Sequence, residues 1–343
     1  MPGRARRTPL PLFLHGLGHF HPENEITNRF LEELDIGTTD EWILERVGIR
    51  SRRTVLPLDY IRETKNADTR AGMEAVTCTS AALGARAAEL ALERAGLSAG
   101  DIGMVISGSS ASDFQSPADA CMVASQLGID VPAFDLNSAC TSFLSQLHFL
   151  ALMQPDKLPP FVLVVGVDSL TKTVDYSDRS ASVLWGDAGA AAVVSTRERG
   201  LAEILGTSME SRPTAGDKVV VPRAGYFDQN GRTVQTFAIK KTALCLERLR
   251  AEFETPERPL HFVGHQANLR MLEAVCRRCD IPEDRHHFNV EWYGNTGAAS
   301  SASVISMEWG KWQAGDDIAV AGVGAGLTWA SYLLRFDRAP VAG

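Results

Sequence analysis

Ala133-Phe134-Asp135-Leu136-Asn137-Ser138-Ala139-Cys140-Thr141-Ser142-Phe143 reads as a short apolar strand that runs into a turn of small residues and then into a helix. The helix is announced by Phe143, Leu144, Leu147, Leu150 and Ala151, which recur at helical spacing. Cys140 therefore stands at a helix N-terminus. Unpaired backbone N–H groups and the macrodipole favour a thiolate there, so the position predicts a lowered thiol pKa and a nucleophile. A buried structural cysteine suits the same stretch, since free Cys is among the most buried residue types. The rest of the chain has to separate the two.

Outward from this stretch, residues 102–107, 161–167 and 189–195 are further apolar strands, with helical patterns over 74–96 and 117–127. Apolar strands alternating with helices predict an α/β fold with a largely parallel sheet covered on both faces. After Thr196 the pattern starts again. A strand over 201–208 leads through a loop-rich stretch to a helix over 236–253, a strand over 260–264, helices over 271–279 and 296–309, and a strand over 318–323. Residues 182–194 and 324–334 are each a glycine turn followed by an apolar strand. The order of elements predicts a duplication, with an N-terminal half 1–195 carrying the cysteine and a C-terminal half 196–343.

A chain of 343 residues, 45% hydrophobic and 22% charged, is long enough for a large core. No apolar run approaches the roughly 20 residues of a membrane span, and a net charge of −8 gives no overall field to attract nucleic acid or an anionic membrane. We expect a cytoplasmic protein. The six cysteines lack the spacing of a disulfide framework, and Cys276 and Cys279 have no second pair to complete a zinc set, so we expect no metal. The Arg-rich stretch 51–73 reads as a surface excursion. Trp42 and Arg46, four apart, share a helix face. That face is either core and salt bridge, or a place where an aromatic ligand stacks and a phosphate is held.

Polar residues stand at strand ends in otherwise apolar surroundings at three places. They are Cys140, His265 in Gly264-His265-Gln266-Ala267-Asn268, and Asn295 in Gly294-Asn295-Thr296. With Thr39-Asp40-Glu41-Trp42, Gly48-Ile49-Arg50, Trp185-Gly186-Asp187 and Gly326-Leu327-Thr328-Trp329, these motifs make the chain resemble the β-ketoacyl-acyl-carrier-protein synthase III family of the thiolase superfamily. The resemblance covers nearly the whole length. It implies two thiolase-like βαβαβαββ halves in a five-layered α-β-α-β-α core, usually as a homodimer. It also implies that Cys140 takes an acyl group from a thioester. His265 and Asn295 would then donate hydrogen bonds to the carbonyl oxygen of a second thioester as malonyl loses carbon dioxide. The backbone N–H groups of Cys140 and Ala325 would form a second oxyanion site. Asn295, in place of Cys or Glu, separates the chain from thiolases and from hydroxymethylglutaryl-CoA synthases. No cofactor is implied beyond the acyl-CoA and acyl-carrier-protein substrates.

The same resemblance places coenzyme A or a carrier on Trp42 and Arg179, with Arg46 and Arg270 near the phosphates and the tunnel mouth. Lys240, Lys241, Arg277 and Arg278 would either dock an acidic acyl carrier protein or form solvated helix faces. Two departures stand out. Val323 occupies a position where the family usually has Phe, and Ser116 one where a bulky Phe often projects across the dimer. Both predict a roomier acyl pocket and a specialised condensation of the dialkylresorcinol, cyclohexanedione or α-pyrone type, joining the Cys-bound acyl group to a second, malonyl or β-ketoacyl, thioester. The alternatives are initiation of fatty-acid synthesis from an acyl-CoA and malonyl carrier protein, acyl transfer to an alcohol or amine, and a catalytically silent subunit. A cysteine hydrolase fits less well, because it needs a histidine base with an orienting group.

Overall fold

The computed structural model describes residues 11–340. Its first half contributes β1 (Leu12–Phe20), β2 (Ile102–Gly108), β3 (Ala133–Asp135), β4 (Phe161–Asp168) and β5 (Ala188–Ser195). The second contributes β6 (Ala202–Ser211), β7 (Leu260–Gly264), β8 (His286–His287), β9 (Asp317–Gly324) and β10 (Thr328–Phe336). The first five lie in the order β3-β2-β4-β5-β1, and the second five repeat it as β8-β7-β9-β10-β6. The two sets join edge to edge through a short antiparallel contact in which Leu12, Phe13 and Leu14 face Ile204, Glu203 and Ala202.

Only the β2–β3 and β2–β4 pairings are parallel in the first half, and β7–β8 and β7–β9 in the second. The expected largely parallel sheet is therefore mixed. Each half ends by folding its last strand back as an antiparallel neighbour, β5 on β4 and β10 on β9. The three-residue connection from β9 to β10 can make only an antiparallel pair.

Between the strands run α1 (Ser80–Ala95), α2 (Asp119–Gln126), α3 (Ser142–Leu152), α4 (Gly231–Phe253), α5 (Leu269–Arg278) and α6 (Ser300–Met307). Each half is thus β-α-β-α-β-α-β-β. Alternate strand residues serve opposite faces. Val105, Leu163, Val165 and Val193 meet α1 and α2 on the outside, while Ile106, Val164, Ala192 and Val194 face α3 and α6 inside. α4 and α5 cover the outer face of the second half, where Leu246, Leu249, Leu272 and Val275 pack on Ala319, Ala321 and Leu333. The layers are α-β-α-β-α.

Element ends follow their caps. α1 begins later than its apolar pattern because Thr79 accepts from the Ala82 N–H at 3.1 Å, and it stops at Gly96, whose φ of +66° is left-handed. The stretch 51–73 is not simply surface. Ser51–Thr54 pairs with Asn24–Thr27, and Arg52 is fully buried, donating to the Val183 carbonyl and, at 2.6 Å, to Asn28 Oδ1. Carbonyl and amide acceptors supply the hydrogen bonds that an enclosed guanidinium requires. Cys276 and Cys279 are buried in the apolar cluster of α5.

Candidate active site

The duplication brings two equivalent connections together. Cys140 lies between β3 and α3, Asn295 between β8 and α6, and α3 and α6 are the paired helices of the central layer. The Cys140 turn is built by its neighbours. Ala139 has φ +55°, a left-handed conformation that costs a non-glycine residue about 1 kcal/mol. Three bonds hold it: Ser142 Oγ donates to the Ala139 carbonyl at 2.6 Å, the Ser138 N–H donates to Ser142 Oγ at 2.9 Å, and Thr141 Oγ1 donates to the Ser138 carbonyl at 2.8 Å. The Thr141 hydroxyl also meets that of Thr328 on β10 at 2.8 Å, tying the turn to the second half.

β9 gathers the site. A methyl group on Gly322 would come within 3.1 Å of His265 Cβ, and one on Gly324 within 3.1 Å of the Cys140 and Thr141 backbone nitrogens. Two glycines on one face of the strand thus let the Cys140 turn and His265 press against the same strand end. Ala325 follows immediately, and its carbonyl accepts from Thr328 Oγ1 at 3.1 Å.

The half-buried Cys140 thiol is pushed up to about 12, first by burial and then by the negative charge of Asp168. The lowered pKa expected from the helix N-terminus is therefore not found in the resting site, because desolvating a thiolate outweighs the field of one helix end.

His265 is buried, its backbone N–H donates to the Ala321 carbonyl at 2.9 Å, and burial alone lowers its imidazole to about 4. It is neutral. Its Nδ1 lies 2.7 Å from Ser300 Oγ, and Nε2 makes no hydrogen bond among the described residues. Asn295 Oδ1 accepts from the Gly297 N–H at 3.0 Å, which leaves the Nδ2 amide hydrogens to donate.

The segment that sets these partners is anchored from the first half. Asp168, at the end of β4, accepts from the Ala298 N–H at 2.7 Å, from the Ser110 N–H at 2.6 Å and from Ser109 Oγ at 3.1 Å. Burial raises its carboxyl to about 6. Asp168, Gly297 and Ser300 were not singled out from sequence. Asp168 is 130 positions from Ala298 and ends an otherwise apolar strand, which reads as a strand terminus.

A cavity of about 450 Å³ opens outside this centre, lined by Trp42, Arg46, Arg179, Leu184, Trp185, Val234, Asn268, Met271 and Asn295, among others. The Arg46 and Arg179 guanidiniums stand 5.3 and 4.9 Å from the Trp42 ring centre. Of the trio, Asn295 lines this cavity. Arg270 does not: it donates to the Leu44 carbonyl at 2.7 Å, capping the helix Asp40–Arg46, and pairs with Glu273 at 3.0 Å. Ser116 is exposed on the loop before α2. Val323, 6% exposed, packs in the apolar cluster with Leu269, Met271 and Trp329. No helix among the described residues is long and apolar enough to cross a membrane.

Comparison with known proteins agrees with this architecture. Residues 134–213 match the family model for 3-oxoacyl-[acyl-carrier-protein (ACP)] synthase III, and residues 253–336 match the model for its C-terminal part. The β-ketoacyl-[acyl-carrier-protein] synthase III of Aquifex aeolicus is 33% identical over 325 residues, covering 94% of this chain and 98% of its own, and that of Coxiella burnetii is 31% identical over 336 residues with the same coverage. The crystal structure of the Aquifex aeolicus enzyme superposes with a TM-score of 0.82 at 32% identity, over 95% of this chain and all of that one. The priming β-ketosynthase of the R1128 polyketide pathway gives 0.81 at 28% identity, over 99% and 100%. Xanthomonas campestris OleA shares the fold, with a TM-score of 0.80 at 19% identity over 97% of this chain and all of its own.

Fold and relatives together define an acyl-transferring condensing enzyme of the thiolase superfamily. Within that class, the chain belongs to the β-ketoacyl-acyl-carrier-protein synthase III family.

Proposed function

We propose that the protein starts fatty-acid chains by condensing an acyl group held on Cys140 with malonyl carrier protein, as the names of its relatives suggest. In the first step the Cys140 sulfur bonds to the acyl carbon of an acyl-CoA, the bond from that carbon to the coenzyme A sulfur breaks, and the thiol proton goes to the departing thiolate. In the second, the malonyl thioester loses carbon dioxide. Its carbonyl oxygen takes the negative charge between His265 Nε2–H and Asn295 Nδ2–H, and the enolate carbon attacks the acyl carbon. The Cys140 sulfur leaves and recovers a proton from solvent. The backbone N–H groups of Cys140 and Ala325 serve the tetrahedral species in both steps.

The observation that carries this reading is the polarity of the two donors. Asn295 has its oxygen already engaged and so offers hydrogen, and His265 rests against the Ser300 hydroxyl with no carboxylate to orient it as a base. This also weighs against a hydrolase. Trp42, Arg46 and Arg179 hold the nucleotide end of coenzyme A in the outer cavity, and the carrier protein docks at its mouth. The enzyme works in the cytoplasm as a homodimer. Edge strand β3, with Phe134 41% exposed, supports pairing between copies, because open strand edges are templates for association.

A second reading, priming of a specialised polyketide chain, rests on the similarity to the R1128 priming β-ketosynthase. One experiment tests both. Purified protein is offered acetyl-CoA with malonyl carrier protein, and separately β-ketoacyl thioesters as the second substrate, with product masses recorded. Efficient condensation only in the first mixture supports initiation; condensation only in the second overturns it. Cys140→Ala is expected to abolish acyl transfer, and an unchanged condensation rate in that variant excludes the covalent route.

A further inference from the structure

We infer that Ser300 is a positioning residue that fixes the tautomer of His265, so that the imidazole presents Nε2–H to the reacting carbonyl. This rests on the role proposed for His265 and extends it to a residue that touches no substrate.

The argument is one of proton inventory. A neutral imidazole carries a single N–H, on one nitrogen or the other, and is useful as an oxyanion donor only when that hydrogen points at the oxyanion. In this site Nδ1 lies 2.7 Å from the Oγ of Ser300, which is 1% exposed. A hydroxyl could accept there as easily as donate. Its surroundings decide: the Gln266 backbone N–H points at Ser300 Oγ at 3.4 Å and occupies an acceptor position. Among the described residues the hydroxyl hydrogen meets no acceptor other than Nδ1, which is then the unprotonated nitrogen. The proton of the ring is on Nε2.

Two further features hold this arrangement. Ser300 is 1% exposed, so water does not compete for its hydroxyl. The backbone on either side is fixed, because Gln266 Oε1 accepts from the Asn289 and Val290 N–H groups at 3.0 and 3.2 Å, and the Ser300 carbonyl accepts from Ser303 Oγ at 2.8 Å. A hydroxyl at this position has a chemical consequence that a carboxylate would not. A carboxylate only accepts, and would draw the proton to Nδ1, turning Nε2 into an acceptor. It would also favour the imidazolium form. Burial acting alone on His265 agrees with a ring that has no acidic partner.

The test combines a spectroscopic reading with a split of the two half-reactions. The protein is labelled with ¹⁵N-histidine, and the His265 signals are assigned by their loss in His265→Asn. Wild type is expected to show the Nε2–H pattern across neutral pH, and Ser300→Ala a mixture of tautomers. Condensation from pre-acylated enzyme is expected to fall about five- to tenfold in Ser300→Ala, the weight of one neutral hydrogen bond, while the rate of Cys140 acylation changes less than twofold. Ser300→Thr, which keeps the hydroxyl, restores the Nε2–H pattern. An Nδ1–H pattern in wild type overturns the inference without any variant, as does an unchanged tautomer or an equal loss of both half-reactions in Ser300→Ala. Failure of the underlying reading is seen separately: it requires His265→Ala to condense at the wild-type rate. If His265→Ala is inactive and Ser300→Ala is not impaired, only the role of Ser300 is lost.

Discussion

Raising the pH from 7 to 10 is expected to speed alkylation of Cys140 by iodoacetamide about tenfold per unit, with no plateau in that range. Two effects oppose each other at this sulfur. The N-terminus of α3 favours the thiolate by at most about 2 kcal/mol, or roughly 1.5 pKa units. Burial, supported by Asp168, pushes the thiol up to about 12. Even with the full helix contribution subtracted, the thiol stays above the pH range of the assay. At pH 8 about one Cys140 in three hundred is then thiolate, against roughly one in four for an unperturbed cysteine. The assay is site-resolved: the peptide holding Cys140 is quantified by mass spectrometry over a short time course at each pH, with glutathione as the reference thiol. Alkylation that levels off below pH 8 would show that the helix field governs and that the nucleophile is pre-formed. The expected profile means instead that the thiol is deprotonated only as the thioester arrives, when the departing thiolate can take its proton.

Trp42→Ala is expected to raise KM for acyl-CoA about tenfold while leaving condensation from pre-acylated enzyme intact, because it removes the platform between Arg46 and Arg179. Equal losses in both half-reactions would place Trp42 in the scaffold rather than the ligand site. Gly297→Ala and Gly96→Ala both introduce a side chain at positive φ, but a methyl on Gly297 would lie 2.0 Å from Asp168 Oδ2, whereas nothing lies within 4 Å at Gly96. Urea titration should give a loss of about 1 kcal/mol at Gly96 and more than about 3 kcal/mol at Gly297, and similar losses would undo the proposed anchoring. Burial lowers His19, His265 and His286 to about 4, so below pH 6.5 the unfolded chain binds protons that the folded chain does not, and stability falls with pH. Asp119, Asp168 and Asp187, each raised to about 6, act in the opposite sense below that pH. With His15, His21, His148 and His261 also lowered by burial, the histidines outnumber these carboxyls, and the urea midpoint is expected to drop from pH 7 to 6; a rise from 7 to 6 would contradict these assignments.

The fold was legible in the sequence where burial is two-sided. The strands around Val164 and Val193 are continuous apolar runs because helices cover both faces, and the small-residue turn at 138–142 is visible as such. The pairing sense was not legible, since an apolar strand reads the same in a parallel or antiparallel neighbourhood. Arg52 was misread because polarity alone places arginine outside. Its burial depends on the Val183 carbonyl, which is 131 positions away. Cys140, His265 and Asn295 could be named because they interrupt apolar surroundings. The residues that orient them, Ser300 and Asp168, are ordinary helix-start and strand-end residues until the chain is folded.

That division explains why the site needs both halves. The first half supplies the nucleophile turn and, at the end of β4, the carboxylate of Asp168. The second supplies His265, Asn295 and the glycine face of β9. Gly297 orients the Asn295 amide, Ser300 meets His265 Nδ1, and Asp168 holds the intervening Ala298 across the boundary between halves. One four-residue segment thus sets the polarity of both donors, and its anchor comes from the half that carries the cysteine. The same Asp168 charge raises the Cys140 thiol. A displacement of Asp168 would therefore loosen the segment that holds the partners of His265 and Asn295 and ease the Cys140 thiol in a single move.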